Sequence, residues 1–283
     1  MLNSELKKLS GLTLLYTVYG FLPPMSHYSV LSSTTPSRRK QTITASLAGS
    51  WVQPIGASRL ETCTPFFLGV AGGTASGKTC VVNRIVELLG HEGVAVISQD
   101  CYYRGLNEAE REDAANYNFD HPEAFNFDSI SETLLALRQR SASVSVPQYD
   151  FTTHTQMPRE YDTHVNSPAI VIFEGILALH SPAVRDLLDM KVFVDTDADV
   201  RLARRIKRDM ADRGRDLDGI LMQYERFVKP SFDAYCAPQR QYADVVLPRG
   251  LENQVGIQMV VENLRALLVS YEEEECGMAE KER

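Results

Sequence analysis

Residues 72–79 carry the pattern that most constrains the fold of this chain. They match G-x-x-x-x-G-K-[ST] and read Gly-Gly-Thr-Ala-Ser-Gly-Lys-Thr. An apolar segment of strand length, Phe66 to Ala71, runs into the match, and an amphipathic segment, Val81 to Leu89, runs out of it. The glycines let the backbone wrap around an anion, so that loop N–H groups and a helix N-terminus face phosphate groups. The motif predicts a nucleotide-phosphate site, with Lys78 toward the β and γ phosphates and the Thr79 hydroxyl toward Mg²⁺.

From residue 65 onward, short apolar segments alternate with longer helical patterns. The predicted strands are Phe66 to Ala71, Val94 to Ser98, Ala169 to Glu174, Lys191 to Asp195 and Asp244 to Pro248. The predicted helices are Thr79 to Leu89, Ser129 to Gln139, Ala183 to Leu188, Asp199 to Asp212, Leu217 to Ala237 and Asn253 to Ser270. This order is typical of a doubly wound α/β domain with a parallel sheet covered on both faces. We predict five parallel strands in one domain over residues 65–270.

One segment interrupts this alternation. Ser143 to Val165 carries apolar residues in near period-2 order, followed by a polar stretch from Thr155 to Glu160. The pattern predicts a β-hairpin inserted between the second and third core strands, with its turn in the polar stretch.

The two ends differ from this domain in composition. Residues 1–64 hold six Lys and Arg against two Glu, a net charge of +4, and they are rich in Ser and Thr. This composition predicts a disordered extension, a targeting peptide, or a segment that precedes a true start at Met25. Residues 271–283 begin with an acidic run, Glu272 to Glu275, and are predicted to be a disordered acidic tail.

Composition excludes several classes of protein. The formal net charge of −8 argues against binding nucleic acid through bulk charge. The longest apolar stretch, Leu12 to Leu22, is too short to span a membrane. The five cysteines include no C-x-x-C pair, which argues against a disulfide framework or a zinc site and favours a reducing compartment.

Charged residues elsewhere suggest what the phosphate site does. Asp100 comes shortly after one predicted apolar strand, and Glu174 is the last residue of another. A second Mg²⁺ ligand or a base is expected at such positions. Carboxylates at strand ends are, however, often helix caps. Arginines recur at helical spacing and suit a lid over a transferred phosphate, or a solvated basic face: Arg201, Arg204, Arg205 and Arg208, then Arg213 and Arg215. The N-K-x-D motif of GTPases is absent. These residues favour a small-molecule kinase.

The ordered motifs of residues 66–268 resemble the uridine–cytidine kinase family of P-loop kinases. They include the Gly72 to Thr79 loop, Ser98 to Asp100 with Tyr103, Asn118 to Pro122, Tyr149 to Phe151 with His154, Phe173 to Leu177, Phe193 to Asp199, Arg213 to Asp216, Gln223-Tyr224, Phe227 to Pro230, Tyr242 to Asp244 and Pro248 to Gly250. The resemblance implies ATP-dependent phosphorylation of uridine and cytidine at the 5′-hydroxyl, in pyrimidine salvage.

The same resemblance implies site residues. Asp100 would be the base, with Lys78, Arg208 and Arg213 at the phosphates. Thr79 and Glu174 would hold Mg²⁺. The ATP-binding residues would be Gly72, Gly73, Thr74, Ala75, Ser76, Gly77, Lys78, Thr79, Cys80 and Glu252. The nucleoside-binding residues would be Tyr103, Phe119, Asp120, Tyr149, Phe151, His154, Arg205, Arg215 and Gln223.

The family further implies a cytosolic homotetramer inhibited by UTP or CTP, with no nucleic acid or membrane among its partners. An organelle is the alternative location if residues 1–64 are a targeting peptide. Two other functions stay open: a related kinase such as phosphoribulokinase or pantothenate kinase, and a non-catalytic nucleotide-binding protein.

Overall fold

The computed structural model describes residues 64–90 and 93–281. The extension predicted over residues 1–64 therefore lies, except for Thr64, outside the described residues. The strands are β1 (Phe66–Ala71), β2 (Val94–Ser98), β3 (Val144–Val146), β4 (Tyr149–Asp150), β5 (Thr155–Gln156), β6 (Thr163–Val165), β7 (Ile170–Gly175), β8 (Met190–Asp195) and β9 (Val245–Pro248). The α-helices are α1 (Lys78–Leu89), α2 (Glu108–Glu112), α3 (Phe127–Arg138), α4 (Pro182–Arg185), α5 (Ala198–Arg213), α6 (Leu217–Gln223), α7 (Lys229–Ser231) and α8 (Gln254–Lys281).

Five strands form one parallel sheet in the order β2-β7-β1-β8-β9. This arrangement confirms the predicted α/β fold. The central strand β1 delivers the chain into the glycine-rich loop, and β7 and β8 flank it. Ligands of open α/β sheets bind beyond the carboxyl ends of the strands, so residues that follow β1, β2, β7 and β8 meet at one edge.

Two apolar clusters cover the two faces of the sheet. Successive side chains of β1 point to opposite faces, so Phe67 and Ala71 belong to one cluster while Leu68 and Val70 belong to the other. Helices α3 and α4 pack on the first face, and α1 and α8 pack on the second. Both faces of β1 are fully buried, which explains its continuous apolar sequence.

The inserted hairpin exists, but its turn is not where the sequence predicts it. β3 pairs with β6 and β4 pairs with β5, both antiparallel, so Thr155 and Gln156 are strand residues. The chain reverses between β4 and β5 instead. There the Asp150 carboxylate accepts the Thr152 N–H at 2.8 Å and the Thr153 hydroxyl at 2.9 Å. An aspartate that bonds the backbone two residues on is a turn-forming device, and it outweighs the polar composition of residues 155–160.

In place of the predicted helix from Leu217 to Ala237, the structure has a series of short α-, π- and 3₁₀-helical segments that continues to Tyr242. π-helical segments at Tyr224–Val228 and Phe232–Cys236 alternate with α6 and α7, and a 3₁₀ segment, Ala237–Tyr242, ends it. Pro230 and Pro238 cannot donate to the helical ladder, which accounts for the changes of pitch near them.

Helix α8 continues to Lys281, whereas the prediction ended it near Ser270 and assigned the acidic run to a frayed tail. Glu, Ala and Met are good helix formers and continue a helix beyond the part that packs on the sheet. Among the residues that the structure describes, no helix is both long and apolar enough to cross a membrane.

Candidate active site

The glycine-rich loop lies at the carboxyl end of β1 and opens directly into α1. Gly77, the residue before the helix, has a φ of 91°, a left-handed conformation that glycine adopts without strain. The Lys78 side chain is buried, and its Nζ donates to the Gly73 carbonyl at 3.2 Å. The ammonium is thus folded over the loop, where a nucleotide phosphate can take the place of the carbonyl as its partner.

Two buried groups support the loop from below. The Thr196 hydroxyl, just after β8, donates to the Ser76 carbonyl at 2.9 Å. Arg201 donates to the Thr196 carbonyl at 3.0 Å, and its guanidinium lies 3.8 Å over the Phe232 ring. A Cβ at Gly73 would lie 2.5 Å from Arg201 Nη1 and 2.9 Å from the Phe232 ring, so a larger residue there would displace both side chains. Arg201 is therefore a structural residue and not, as its spacing suggested, part of the arginine face of a lid.

Glu174, near the end of β7, lies beside the start of α1. The Thr79 hydroxyl donates to Glu174 Oε1 at 3.0 Å, and the carboxylate is 7% exposed. Burial raises the pKa of Glu174, although Lys78 opposes the shift. A hydroxyl and a carboxylate are oxygen ligands of the kind that Mg²⁺ prefers, and the pair leaves further positions to waters and phosphate oxygens. The two predicted metal ligands are thus adjacent and fit the ion.

Asp100 is in the 3₁₀ turn Gln99–Tyr102 that follows β2. Its side chain is accessible from the cleft, yet burial by the surrounding protein raises the pKa of the carboxyl, against the attraction of Lys78, Arg213 and Arg208. The helix-cap alternative is wrong, because Ser98 is the cap and accepts the Asp100 N–H at 3.3 Å. Asp100 therefore has a free carboxylate toward the cleft.

One cavity of about 940 Å³ joins most of the predicted residues. The predicted residues that line it are Thr74, Ala75, Gly77, Lys78, Thr79, Cys80, Asp100, Tyr103, Phe119, Asp120, Phe151, His154, Glu174, Arg205, Arg208, Arg213, Arg215 and Gln223. Gly72, Gly73 and Ser76 form the body of the loop and do not line this cavity, nor does Glu252, whose carboxylate pairs with Arg204 at 3.3 Å. Arg204, which the sequence placed on the arginine face, lines it as well, and Tyr117 and Phe227 line it without having been predicted.

Aromatic rings also line the cavity. The Phe119 and His154 rings stack at a centroid distance of 4.9 Å, and Tyr103 meets Phe119 and Phe151 edge to face. Tyr149 is buried outside the cavity lining, 5.3 Å from the Tyr103 ring. The structure thus brings the hairpin tip over the segment that follows β2, as the predicted nucleoside pocket requires.

Two polar atoms in this aromatic cluster have no hydrogen-bond partner. They are the Tyr149 hydroxyl and His154 Nδ1, both buried. Burial raises the pKa of Tyr149 to about 12, and burial together with Arg215 lowers the pKa of His154. A protonated phenol and a neutral imidazole can each donate and accept a hydrogen bond. Buried unpaired polar groups are rare and indicate a missing partner, which a ligand can supply.

Arginines line the cavity too. Arg205 donates to the Thr74 hydroxyl at 3.2 Å, and its charge opposes the rise that burial causes in the pKa of Asp120. Arg215 donates to Gln223 at 3.1 Å. With Arg208 and Arg213 they surround Asp209, a fully buried carboxylate.

Sequence reasoning also missed how the Phe119–Asp120 segment is held. Asn118 exchanges hydrogen bonds with the Ser231 hydroxyl at 3.0 and 3.3 Å, and His121 Nε2 bonds the Tyr235 hydroxyl at 2.9 Å. These residues are more than one hundred positions apart, so only the polar character of Asn118 and His121 beside the aromatic motif could have indicated partners.

Comparison with known proteins identifies the family. The model of the Phosphoribulokinase / Uridine kinase family matches residues 67–256. The chain is 43% identical over 204 residues to uridine-cytidine kinase B of Dictyostelium discoideum, covering 72% of this chain and 83% of that protein. It is 46% identical over 204 residues to the chloroplastic uridine/cytidine kinase UKL1 of Arabidopsis thaliana, covering 72% of this chain and 42% of the relative.

A solved structure supports the fold alone. A proposed fructose transport system kinase from Silicibacter sp. TM1040 superposes with a TM-score of 0.54 at 18% identity, covering 65% of this chain and 90% of that one. The chain spans less than half the length of several curated relatives, between 41% and 47%. The match over the whole P-loop domain, together with the identity to the Dictyostelium protein, shows that the chain belongs to the phosphoribulokinase/uridine kinase family.

Proposed function

We propose that this chain transfers the γ-phosphoryl group of ATP to the 5′-hydroxyl of uridine or cytidine, releasing UMP or CMP and ADP. The observation that carries the proposal is one cavity that Lys78 and Asp100 line together with the stacked Phe119 and His154 rings. The names of the relatives support a pyrimidine nucleoside as the acceptor.

The pocket chemistry supports a nucleoside acceptor. The Phe119 and His154 faces can stack on a planar base, and the Tyr149 hydroxyl and His154 Nδ1 beside them have no protein partner that a base edge would have to displace. Asp120 and Arg205 line the same cavity, and Arg205 also contacts Thr74 of the glycine-rich loop, so the two side chains can hydrogen-bond ribose hydroxyls. A base seated in the aromatic pocket then directs its 5′-hydroxyl toward Asp100.

Asp100 is the group that accepts the hydroxyl proton. As the acceptor oxygen attacks the γ-phosphorus, the bond to the β–γ bridging oxygen breaks and the proton passes to the Asp100 carboxylate. The proton leaves to solvent after the product is released. The accessibility of Asp100 from the cleft allows both steps.

Cationic side chains stabilise the charge on the transferred group. Lys78 reaches the phosphates from the loop, and Arg208 and Arg213 line the same cavity. Mg²⁺ bound at Thr79 and Glu174 would neutralise phosphate charge and orient the β and γ groups. The other sites of the ion are left to phosphates and water, because within the described residues no group of three or more His, Cys, Asp and Glu forms a ready-made metal site.

An acceptor panel tests this function. Purified protein is assayed for ADP release from MgATP with uridine, cytidine, adenosine, ribulose 5-phosphate, pantothenate or no acceptor. We expect turnover with uridine and cytidine only, and Lys78→Ala should abolish it. Turnover with ribulose 5-phosphate or pantothenate alone would assign the chain to another branch of its family, and MgATP binding without turnover on any acceptor would favour a non-catalytic nucleotide-binding protein.

The assembly and compartment are further proposals. We propose a homotetramer inhibited by UTP and CTP, whose bases fit the acceptor pocket and whose phosphates extend toward the arginines. We propose a cytoplasmic location unless residues 1–64 direct the chain to an organelle; the chloroplastic relative makes a plastid the first organelle to test. A fluorescent reporter fused behind residues 1–64 reports the compartment, and a diffuse signal would argue against targeting.

A further inference from the structure

Asp209 on α5 is a buried carboxylate surrounded by four arginines. Its side chain is fully buried, and its oxygens lie 3.8 Å from Arg205, 2.8 Å from Arg208, 3.6 Å from Arg213 and 3.3 Å from Arg215. Its backbone carbonyl also accepts the N–H groups of Gly214 and Arg215 as the helix ends. One acid therefore holds the helix end and four of the six arginines that the sequence assigned to a lid.

Each oxygen of the Asp209 carboxylate contacts two of these arginines, and each pair is proposed to bind a different ligand. Oδ1 faces Arg208 and Arg213, which we propose to bind the phosphates. Oδ2 faces Arg205 and Arg215, which we propose to bind the nucleoside. Asp209 therefore joins the donor half of the cleft to the acceptor half through a single rigid group.

Electrostatics requires such a counter-charge. Burial lowers the pKa of Arg213, and repulsion by Arg208 and Arg205 lowers it further. Burial alone would raise the pKa of Asp209, but Arg208, Arg213 and Arg205 outweigh it and the net shift is downward. Asp100 and Asp120 also attract Arg213 and Arg205 respectively, but both lie on the cavity wall, where substrate binds. Among the acids named here, only Asp209 is not open to a ligand.

We propose that Asp209 is a positioning residue that pre-orients the phosphate-binding and nucleoside-binding arginines together, so that binding at one half of the cleft favours binding at the other. This inference rests on the proposed function for the identity of the two ligands. A purely structural reading, in which Asp209 only closes the end of α5, predicts a loss of stability without selective effects on catalysis.

Asp209→Asn tests the inference, because it keeps the shape and removes the charge. We expect turnover with uridine to fall roughly 10–100-fold, since small displacements of substrate-positioning groups cost about that much. We also expect loss of the coupling between the ligands, measured by calorimetry as the ratio of uridine Kd values with and without a non-hydrolysable ATP analogue. In the wild type the analogue should tighten uridine binding, and in the variant the ratio should approach one.

Asp189→Asn is the matched control. Asp189 is also buried and pairs with Arg138 at 3.0 Å, but it lies at the amino ends of the strands, away from the cleft. It should lose melting temperature and keep both turnover and the coupling ratio. Wild-type turnover together with a wild-type ratio in Asp209→Asn would overturn the proposal, as would equal losses of turnover in the two variants.

A second variant covers the case in which Asp209→Asn does not fold, and a second measurement covers the case in which the proposed function fails. If Asp209→Asn does not fold, Asp209→Glu retains the charge but displaces it by one methylene, and wild-type turnover in that folded variant would overturn the proposal. If the wild type binds MgATP but does not phosphorylate uridine, the proposed function fails, and Asp209 is judged by MgATP affinity alone. The inference then requires Asp209→Asn to bind MgATP roughly 10-fold more weakly than the wild type, and equal affinity overturns it.

Discussion

At the scale of single residues, the carboxylates of the cleft differ in how the protein compensates their charge. Asp209 is fully buried among arginines, and its pKa is lowered. Burial instead raises the pKa values of Asp100, Asp120 and Glu174, which line the cavity. A group that must bind an ion or accept a proton during turnover has to be left incompletely paired in the free protein, and these three residues are so arranged.

Asp100→Asn should lower turnover with uridine by about 10²–10⁴-fold, the usual contribution of general-base catalysis. The KM values for ATP and uridine should change far less, because the lost interaction belongs to the transition state. In the wild type, the acid limb of the pH–rate profile should lie above the usual carboxyl range, since burial raises the pKa of Asp100 and the base must be deprotonated. Steady-state kinetics over pH measures both effects.

Magnesium dependence separates this role from metal binding. If Asp100 were a Mg²⁺ ligand, raising the Mg²⁺ concentration would restore part of the turnover of Asp100→Asn. A loss that is independent of Mg²⁺ supports the base, and near-normal turnover at every concentration would remove Asp100 from the mechanism.

His154→Ala and Tyr149→Phe should each reduce kcat/KM for uridine without weakening ATP binding. Both changes delete a buried polar atom that has no partner in the free protein. A site built to hydrogen-bond a base edge loses roughly 1–3 kcal/mol when the partner is removed, or about 5–150-fold in kcat/KM. Tyr161→Phe is the control, because Tyr161 lies in the same inserted segment and is 54% exposed. Equal kinetics in all three variants and the wild type would show that the aromatic cluster packs in the core and does not recognise the base.

At the scale of elements, the helical segment from Leu217 to Tyr242 connects the two halves of the cleft. Phe232 contacts the guanidinium that supports the glycine-rich loop, while Ser231 and Tyr235 hold the segment carrying Phe119 and Asp120. Adjacent side chains of a helix point in different directions, so neighbours such as Ser231 and Phe232 reach different halves.

Tyr235→Phe should raise the KM for uridine several-fold and leave the KM for ATP unchanged. The change removes only the hydroxyl that bonds His121, so the acceptor segment loses one anchor while the packing of the ring remains. Tyr242→Phe offers a matched control on the same helical segment, since its ring packs against Arg185 and stays in place. An unchanged uridine KM in Tyr235→Phe would show that Asn118 and Ser231 suffice.

The sequence predicted the elements whose signals are local. β1, the loop and α1 lie where periodicity and the glycine pattern put them, because burial on two faces imposes an unbroken apolar strand. The hairpin turn and the π-helical turns were missed because they depend on one Asp150 side chain and on the packing around Pro230. The roles of Arg201 and Asp209 could not be predicted, since helical spacing places arginines on a face but does not reveal which of them is buried.

At the scale of the whole molecule, charged side chains that are placed in the cleft to bind ligands lower the free energy of unfolding of the ligand-free domain. Glu174 is 7% exposed in a sheet that is otherwise apolar around it, and burial raises its pKa despite Lys78. Sites that bind charged ligands are commonly destabilising until the ligand arrives, because desolvated charges lack full compensation. The free protein should therefore gain stability when such a charge is removed.

Glu174→Gln should raise the melting temperature of the ligand-free protein near neutral pH. The pKa of Glu174 is higher in the folded than in the unfolded state, so the carboxylate destabilises the folded state as pH rises through that interval and has no effect when both states are protonated. Gln keeps the acceptor for the Thr79 hydroxyl and removes the charge. Each kcal/mol gained corresponds to roughly 2–4 °C in a domain of this size. The difference from the wild type should shrink toward zero as pH falls to the ordinary carboxyl range. Adding MgATP should reverse the order of the two melting temperatures, since the wild type binds the ion more tightly.

Melting curves over pH, with and without MgATP, measure these differences. Glu132→Gln, on the exposed side of α3, is the control and should match the wild type throughout. A Gln variant less stable than the wild type at neutral pH without ligands would mean that Lys78 already compensates the charge of Glu174.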